Sequence, residues 1–169
     1  MHLRILTADD STAYQALRLA ALRESPASFS SSYQEERDRT VAQVAAFLAG
    51  APERVVFGAF AETELVGVCG LWREPNLKQR HAGFIRGMYV VPSARGCGVG
   101  RGLLQAVVDQ VRTYPDVEQL TLVVTATNTA AMALYTKFGF MEFGRAPRAL
   151  RIGAEYHDEI HMVWRRGAA

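Results

Sequence analysis

The sequence predicts a mixed α/β (α+β) fold, with a mostly antiparallel sheet and helices on both faces, and three observations carry that reading. Apolar strand-like runs alternate with stretches of helical periodicity in the order β-α-α-β-β-β-α-β-α-β-β. Most neighbouring strands are joined by short turns, which makes them antiparallel, but one pair is joined by a helix and should lie parallel. The 169 residues are 49% apolar and 21% charged, which suits a single domain over 1–169 with one core.

The elements follow in chain order. Leu3 to Leu6 is a short first strand, and Thr7 or Asp9 is placed to cap the helix carrying Leu17, Ala20 and Ala21 on one face. Pro26 ends that helix, and Ser28 to Arg39 is polar enough to read as a loop or irregular helix. Val41, Val44, Ala45 and Leu48 form a second apolar stripe, closed by Gly50 and Pro52. Val55 to Phe60 and Leu65 to Trp72 are strands around a tight turn at Glu62-Thr63-Glu64. A third run, Ala82 to Val91, is interrupted by Gly83 and Gly87, which signals a bulge or a close backbone approach. Leu103, Leu104, Val107, Val108 and Val111 share a helix face that stops before Pro115, and Leu120 to Ala126 is the strand expected to pair in parallel with Ala82 to Val91. Ala130, Ala131, Leu134 and Phe138 line the next helix, which Gly139 ends. Phe140 to Phe143 and Tyr156 to Trp164 are the last strands, around a loop from Arg145 to Ala154.

Composition excludes several classes of function. With 19 basic and 17 acidic residues the net charge is +2, too little for a nucleic-acid footprint. Two cysteines, Cys69 and Cys97, are too few for a disulfide scaffold or a cysteine zinc site. No apolar run is long enough to cross a bilayer and the start lacks a signal-like core, so a soluble, cytoplasmic protein with no membrane partner is expected.

The stretch from Val90 to Leu104 carries the chemistry. Gly96, Gly98, Gly100 and Gly102 alternate between a strand and a helix, so the backbone can turn through dihedrals closed to other residues and a ligand can approach without meeting a Cβ. No Ser, Thr, Asp or Asn stands where it would cap the helix. Its first amides are therefore free at the positive end of the helix dipole, and this arrangement suits phosphate. Arg95 and Arg101 add full charges. No Lys-Ser or Lys-Thr pair completes a P-loop, and GxGxxG fails from either Gly96 or Gly98. What is left is Arg-x-x-Gly-x-Gly at Arg95, Gly98 and Gly100, against the plainer reading of a turn that only packs strand on helix.

Arg95-Gly96-Cys97-Gly98-Val99-Gly100, with the following Arg101-Gly102-Leu103-Leu104, resembles the pyrophosphate loop of the GNAT superfamily of N-acetyltransferases. The likeness extends over Ala82 to Phe140, and it implies that family's fold, with the parallel strand pair splayed. It also implies acetyl-CoA as cosubstrate, its pyrophosphate held by amides of Gly96, Cys97, Gly98, Gly100 and Arg101, with Arg95 and Val99 in the same cradle. Met88, Tyr89 and Val90 look like the strand edge that pairs with the pantetheine arm. Asn128 to Phe140 is similar to the family's second signature, in which Asn128 would reach the pantetheine, although a helix N-cap explains it equally well. Tyr135 falls between the apolar positions of its helix and reads either as a core-edge tyrosine with its hydroxyl in water or, by the resemblance, as general acid toward the coenzyme A thiolate, since a phenol with a pKa near 10 is protonated at neutral pH.

The resemblance implies direct attack by a neutral amine in a ternary complex, the acceptor being a small molecule or a peptide. A homodimer is left open. Many relatives carry an acidic base on a central strand, but neither Ala82–Val91 nor Leu120–Ala126 contains a carboxylate. The base is then one of Glu35, Glu36, Glu155, His157, Asp158 and Glu159, or water. That gap also keeps alive a non-catalytic coenzyme A-binding or regulatory module with the same fold. His157, Glu159 and His161 share one strand face without a further ligand, so no metal is expected. Cys97 at the helix start is read as a small loop residue rather than a nucleophile. Arg145, Arg148 and Arg151 suit an acidic acceptor or a solvated edge, and by analogy with the family the loop Phe29 to Arg39 with the hairpin Arg145 to Tyr156 should frame the acceptor.

Overall fold

A computed structural model describes residues 1–51 and 53–167, so the helix-closing role read for Pro52 lies outside the described residues, as do the last two positions of the chain. Seven strands form one sheet in the order β1-β2-β3-β4-β5-β7-β6. They are β1 (His2–Ile5), β2 (Arg54–Ala61), β3 (Glu64–Arg73), β4 (Ala82–Val90), β5 (Gln119–Thr125), β6 (Met141–Ile152) and β7 (Glu155–Arg165). The helices are α1 (Ser11–Glu24), α2 (Tyr33–Glu36), α3 (Val41–Leu48), α4 (Val99–Arg112) and α5 (Thr129–Phe138). All strand pairs are antiparallel except β4 with β5, the pair joined through α4, as expected from its helical connection.

Two cores hold the layers together. On one face, Val99, Leu103, Leu104, Val107, Val108 and Val111 of α4 pack on Cys69, Leu71, Ile85, Leu120 and Leu122 of the sheet. On the other, Leu17 and Ala21 of α1 with Val44 and Leu48 of α3 cover Val56, Phe60, Leu65, Val68 and Tyr89. The second cover stops short of the N-terminal half of β4. Phe84 is half-buried and Arg86 exposed there, which leaves an open trough on that face.

Three local outcomes depart from the sequence reading. Thr7, one of the two caps read for the first helix, is the N-cap of a short helical turn, Ala8–Asp10, that leads into α1, and it is Asp10, not Asp9, that answers it: the Asp10 carboxylate accepts from the Thr7 amide at 2.8 Å and takes both Arg4 guanidinium nitrogens at 2.7 Å. Ala130 is exposed rather than part of the α5 core face, and the buried residue of that helix is Tyr135, with Ala131, Leu134 and Phe138 only half-buried against the α4-side core. The segment from Arg145 to Ala154 is largely strand, not loop. Pro147 and a positive φ of 54° at Arg148 interrupt the ladder between Ala146 and Leu150, and pairing then resumes at Leu150–His157 and runs to a tight turn at Gly153. Both faces of this edge hairpin are mostly exposed, so it has none of the apolar alternation by which strands are recognised, and proline is tolerated at an edge.

The Asp10–Arg4 pair yields a stability prediction. The Arg4 guanidinium holds the Asp10 carboxyl down at about 2. A carboxylate depressed on folding stabilises above its unfolded pKa and loses that contribution as pH falls through the folded value. With Arg4 partly exposed, the contribution is about 1 kcal/mol after screening. Asp10→Asn should therefore lower Tm by about 2–4 °C at pH 7 and by progressively less from pH 4 toward pH 2, as read by calorimetry. A constant deficit across that range would deny the pair its role.

Candidate functional site

β4 and β5 hold together only at Ala82–Gln119, Gly83–Leu120 and Phe84–Thr121. Beyond Phe84 they diverge, and their facing backbone groups open onto a cleft. Gly83 sits at the tight end, where a Cβ would meet the Leu120 side chain at 2.8 Å, so close strand approach requires glycine there. Gly87 has a different task. Cys69 of β3 faces both Gly87 and Met88, because Val68 pairs with Tyr89 while Gly70 pairs with Arg86. This is a bulge with Gly87 at φ +62°, and past it Met88 to Val90 lie on the stretch of β4 whose edge toward β5 is unpaired.

At the far end of β4 the chain makes a short helical turn, Pro92–Ala94, and then the glycine-rich loop. Gly96 and Gly98 have φ of +77° and +82°, and a Cβ on either would stand in open space. Glycine is needed here for the backbone, not for packing. Gly98 is the α4 N-cap and offers no side-chain cap. Among the described residues, none of the amides from Gly96 to Arg101 finds an acceptor in ordinary hydrogen-bond geometry, and the first amide of this region that does is that of Gly102, to the Gly98 carbonyl at 2.9 Å. Six consecutive donors therefore lie unpartnered, among the described residues, at the positive end of a 14-residue helix. Gly100 packs inward, where a Cβ would lie 2.9 Å from Leu134 and 3.2 Å from the Met88 Cε, which brings the loop, the bulge and α5 together.

Tyr135 is the buried residue of α5, set edge-on to Phe140 at 5.9 Å between centroids. Among the described residues its hydroxyl meets only the Met88 sulfur, at 3.5 Å. A thioether is a weak acceptor, so the phenol's hydrogen bond is nearly unspent beside the bulge. Burial pushes its pKa well above the usual phenol range, so the proton stays on. Cys69 lies behind it, a fully buried thiol whose pKa burial pushes up to about 12. Cys97 is exposed in the loop.

A strap made of residues 24–29 crosses the mouth of the cleft. Glu24 takes two nitrogens of Arg95, at 2.9 and 3.2 Å, while the Arg95 Nε donates to the Val90 carbonyl at 2.9 Å. The Thr125 hydroxyl donates to the Ala27 carbonyl, the Asn128 amide reaches the Ser28 hydroxyl at 3.3 Å, and Phe29 lies against Tyr89. The side chain of Arg95 is thus engaged by Glu24, whereas Arg101 is exposed and makes no ion pair among the described residues. Asn128 also caps α5, its Oδ1 accepting from the Ala131 amide at 3.1 Å.

The base candidates separate by environment. Glu36 is buried under Arg18, Arg39 and Ser31, and although burial alone would raise its pKa, these partners hold it below the usual carboxylate range. Glu35 is tied into the capping box of α2 by the Ser32 amide at 2.6 Å, which also lowers it. Asp158 accepts the Arg148 amide at 2.9 Å and faces Arg145 at 3.7 Å. Glu159 is half-buried and in register with Thr125 at the end of β5, while Glu155 is exposed at the hairpin tip. His157 pairs with Leu150 across the hairpin, and His161 packs its ring edge-on to Phe143. The strap and Arg86 escaped the sequence reading. Only Arg86 left a signal there, as a charge in the middle of an otherwise apolar central strand.

The family model described as the acetyltransferase (GNAT) family matches residues 16–140. A GNAT-family acetyltransferase from Streptococcus pneumoniae superposes with a TM-score of 0.86 at 21% identity, covering 98% of this chain and 99% of that one. A ribosomal-protein-alanine N-acetyltransferase from Brucella melitensis gives 0.77 at 23% identity, over 98% and 100%. A Salmonella typhimurium protein solved with its cofactor acetyl-CoA gives 0.83 at 19% identity, over 100% and 96%. At these identities the likeness is one of fold.

Proposed function

The chain belongs to the acetyltransferase (GNAT) family, and from that premise we propose that it transfers the acetyl group of acetyl-CoA to a primary amine by direct attack in a ternary complex. The observation that carries this reading is the row of unpartnered amides from Gly96 to Arg101, set where the splayed β4 and β5 open. A diphosphate satisfies these donors and the helix dipole together, with Arg101 as a nearby full charge. The empty Cβ positions at Gly96 and Gly98 fit a ligand that approaches the backbone closely. Met88, Tyr89 and Val90 would line the pantetheine arm, with Asn128 opposite.

When bound, acetyl-CoA supplies an activated acyl carbon whose carbonyl oxygen becomes negative as the amine adds. The bulge turns the backbone near Met88 toward that oxygen, where an amide can stabilise the developing charge. Tyr135 keeps its proton and is set to donate it to the departing thiolate. The amine must arrive neutral, and Glu159 or a water held near Thr125 is best placed to take its proton. Glu35 and Glu36 are committed to structural bonds and serve this purpose poorly.

A screen of amines with acetyl-CoA, following release of free thiol, tests the reading. Turnover above hydrolysis with at least one amine is expected. Tight coenzyme binding without turnover on any amine would instead favour a non-catalytic coenzyme A-binding module, the reading that the carboxylate-free strands β4 and β5 keep in view.

A further inference from the structure

Arg86 stands on the fourth of seven strands, with a neighbour on either side, and yet is exposed. Charges at such positions are unusual, since a central strand favours β-branched and aromatic residues that pack on both sides. Its surroundings are built from aromatic rings. Trp72 and Phe84 are cross-strand partners, and the Arg86 guanidinium lies 6.0 Å from the Phe84 ring centre. Arg86 itself faces Gly70, and a Cβ there would collide with the Trp72 indole at 1.8 Å, so the indole lies flat over Gly70 beside Arg86.

The charge is also unmatched. Other guanidinium groups on this side of the sheet are engaged: Arg18 and Arg39 by Glu36, and Arg54 by the Phe47 carbonyl. Among the described residues Arg86 has no carboxylate within ion-pair distance and no hydrogen-bond acceptor. It stands in the open trough left by α1 and α3, and directly precedes the bulge at Gly87 and Met88.

We infer that Arg86 selects the acceptor, which is a small amine carrying an anionic group, a carboxylate or a phosphate. This rests on the transferase reading above, since it is the bulge beside Arg86 that would position the acyl group. An amine reaching the bulge through this trough lays its remaining atoms on Trp72 and Phe84 and brings its anion to Arg86. A planar guanidinium accepts either anion through paired N–H bonds. The same charge repels polycationic amines, which distinguishes this site from one built for polyamines or lysine-rich peptides.

The test compares matched acceptors: an amino acid against its carboxamide, and phosphoethanolamine against ethanolamine. At least one anionic member should exceed its neutral partner by tenfold or more in kcat/KM, and the pair that does so identifies the anion. Arg86→Gln should bring that ratio close to one, Arg86→Lys should restore part of it, and both variants should bind acetyl-CoA as the parent does by calorimetry. Equal kcat/KM within both pairs, or an undiminished ratio in Arg86→Gln, would overturn the assignment and leave acetyl transfer standing. Absence of thiol release with every amine, despite bound acetyl-CoA, would remove the transferase reading and this proposal with it.

Discussion

Gly98→Glu is expected to weaken acetyl-CoA binding by at least about 100-fold while the chain stays folded. Two effects combine, and they can be separated. Gly98 has φ +82°, so any side chain there adopts a left-handed conformation at a cost of about 1–2 kcal/mol. Its Cβ meets nothing within 4 Å, so no packing is lost and the strain is the whole structural penalty. The larger effect is electrostatic. A carboxylate among the free amides from Gly96 to Arg101 occupies the donors and opposes a diphosphate, a like-charge juxtaposition worth several kcal/mol. Gly98→Ala carries the strain without the charge. It should lower Tm by about as much as Gly98→Glu but leave most of the affinity. Calorimetric titration with acetyl-CoA decides the matter, and unaltered affinity in Gly98→Glu would show that these amides do not hold the coenzyme. Gly100→Glu is a less clean probe, since its Cβ already meets Leu134 and the Met88 Cε, and lost affinity there would mix charge with disrupted packing.

The glycine loop was legible in the sequence because its physics is local. Alternating glycines and a missing cap residue are visible without any tertiary contact, and the structure returns both as left-handed φ values and unpaired amides. The single parallel pair was legible for a similar reason, because a strand–helix–strand connection leaves few alternatives. The strap was not legible. Glu24 and Arg95 lie 71 residues apart, and Thr125 and Ala27 lie 98 apart, with no periodicity to announce either contact. The outer part of the β6–β7 hairpin, Arg145 to Ala154, was read as loop for a different reason. Strand recognition depends on one face being buried, and an edge strand exposed on both faces reads as loop although its backbone pairs. Tyr135 lies between these cases. Its place in the motif was readable, but its burial was not, because the helix face was drawn through Ala130, Ala131, Leu134 and Phe138, with Tyr135 between them, whereas α5 turns its phenol inward and leaves Ala130 in solvent.

That burial makes Tyr135→Phe a discriminating experiment. A structural tyrosine and a proton donor predict opposite patterns for the loss of one oxygen. Among the described residues the hydroxyl has only the Met88 sulfur at 3.5 Å as partner, so removing it sacrifices little hydrogen bonding and relieves a poorly satisfied buried group. Stability should therefore change by less than about 1 kcal/mol, in either direction. The ring stays against Phe140, so the α5 packing is kept. Turnover should respond very differently. Without the phenol the coenzyme A thiolate must leave unaided or take a proton from water, and loss of a placed general acid costs about 100-fold or more in kcat. Affinity for acetyl-CoA, set at the far end by the loop amides, should move by no more than about threefold. The pH profile gives a second readout. Burial lifts the phenol pKa above its ordinary range, so Tyr135 stays protonated through pH 10 and contributes no falling limb. The rate in the parent should rise as the amine loses its proton and then level off, and the variant should keep that shape at a lower plateau. A kcat within twofold of the parent would remove Tyr135 from the chemistry. A loss of stability comparable to the loss of rate would assign it to the core.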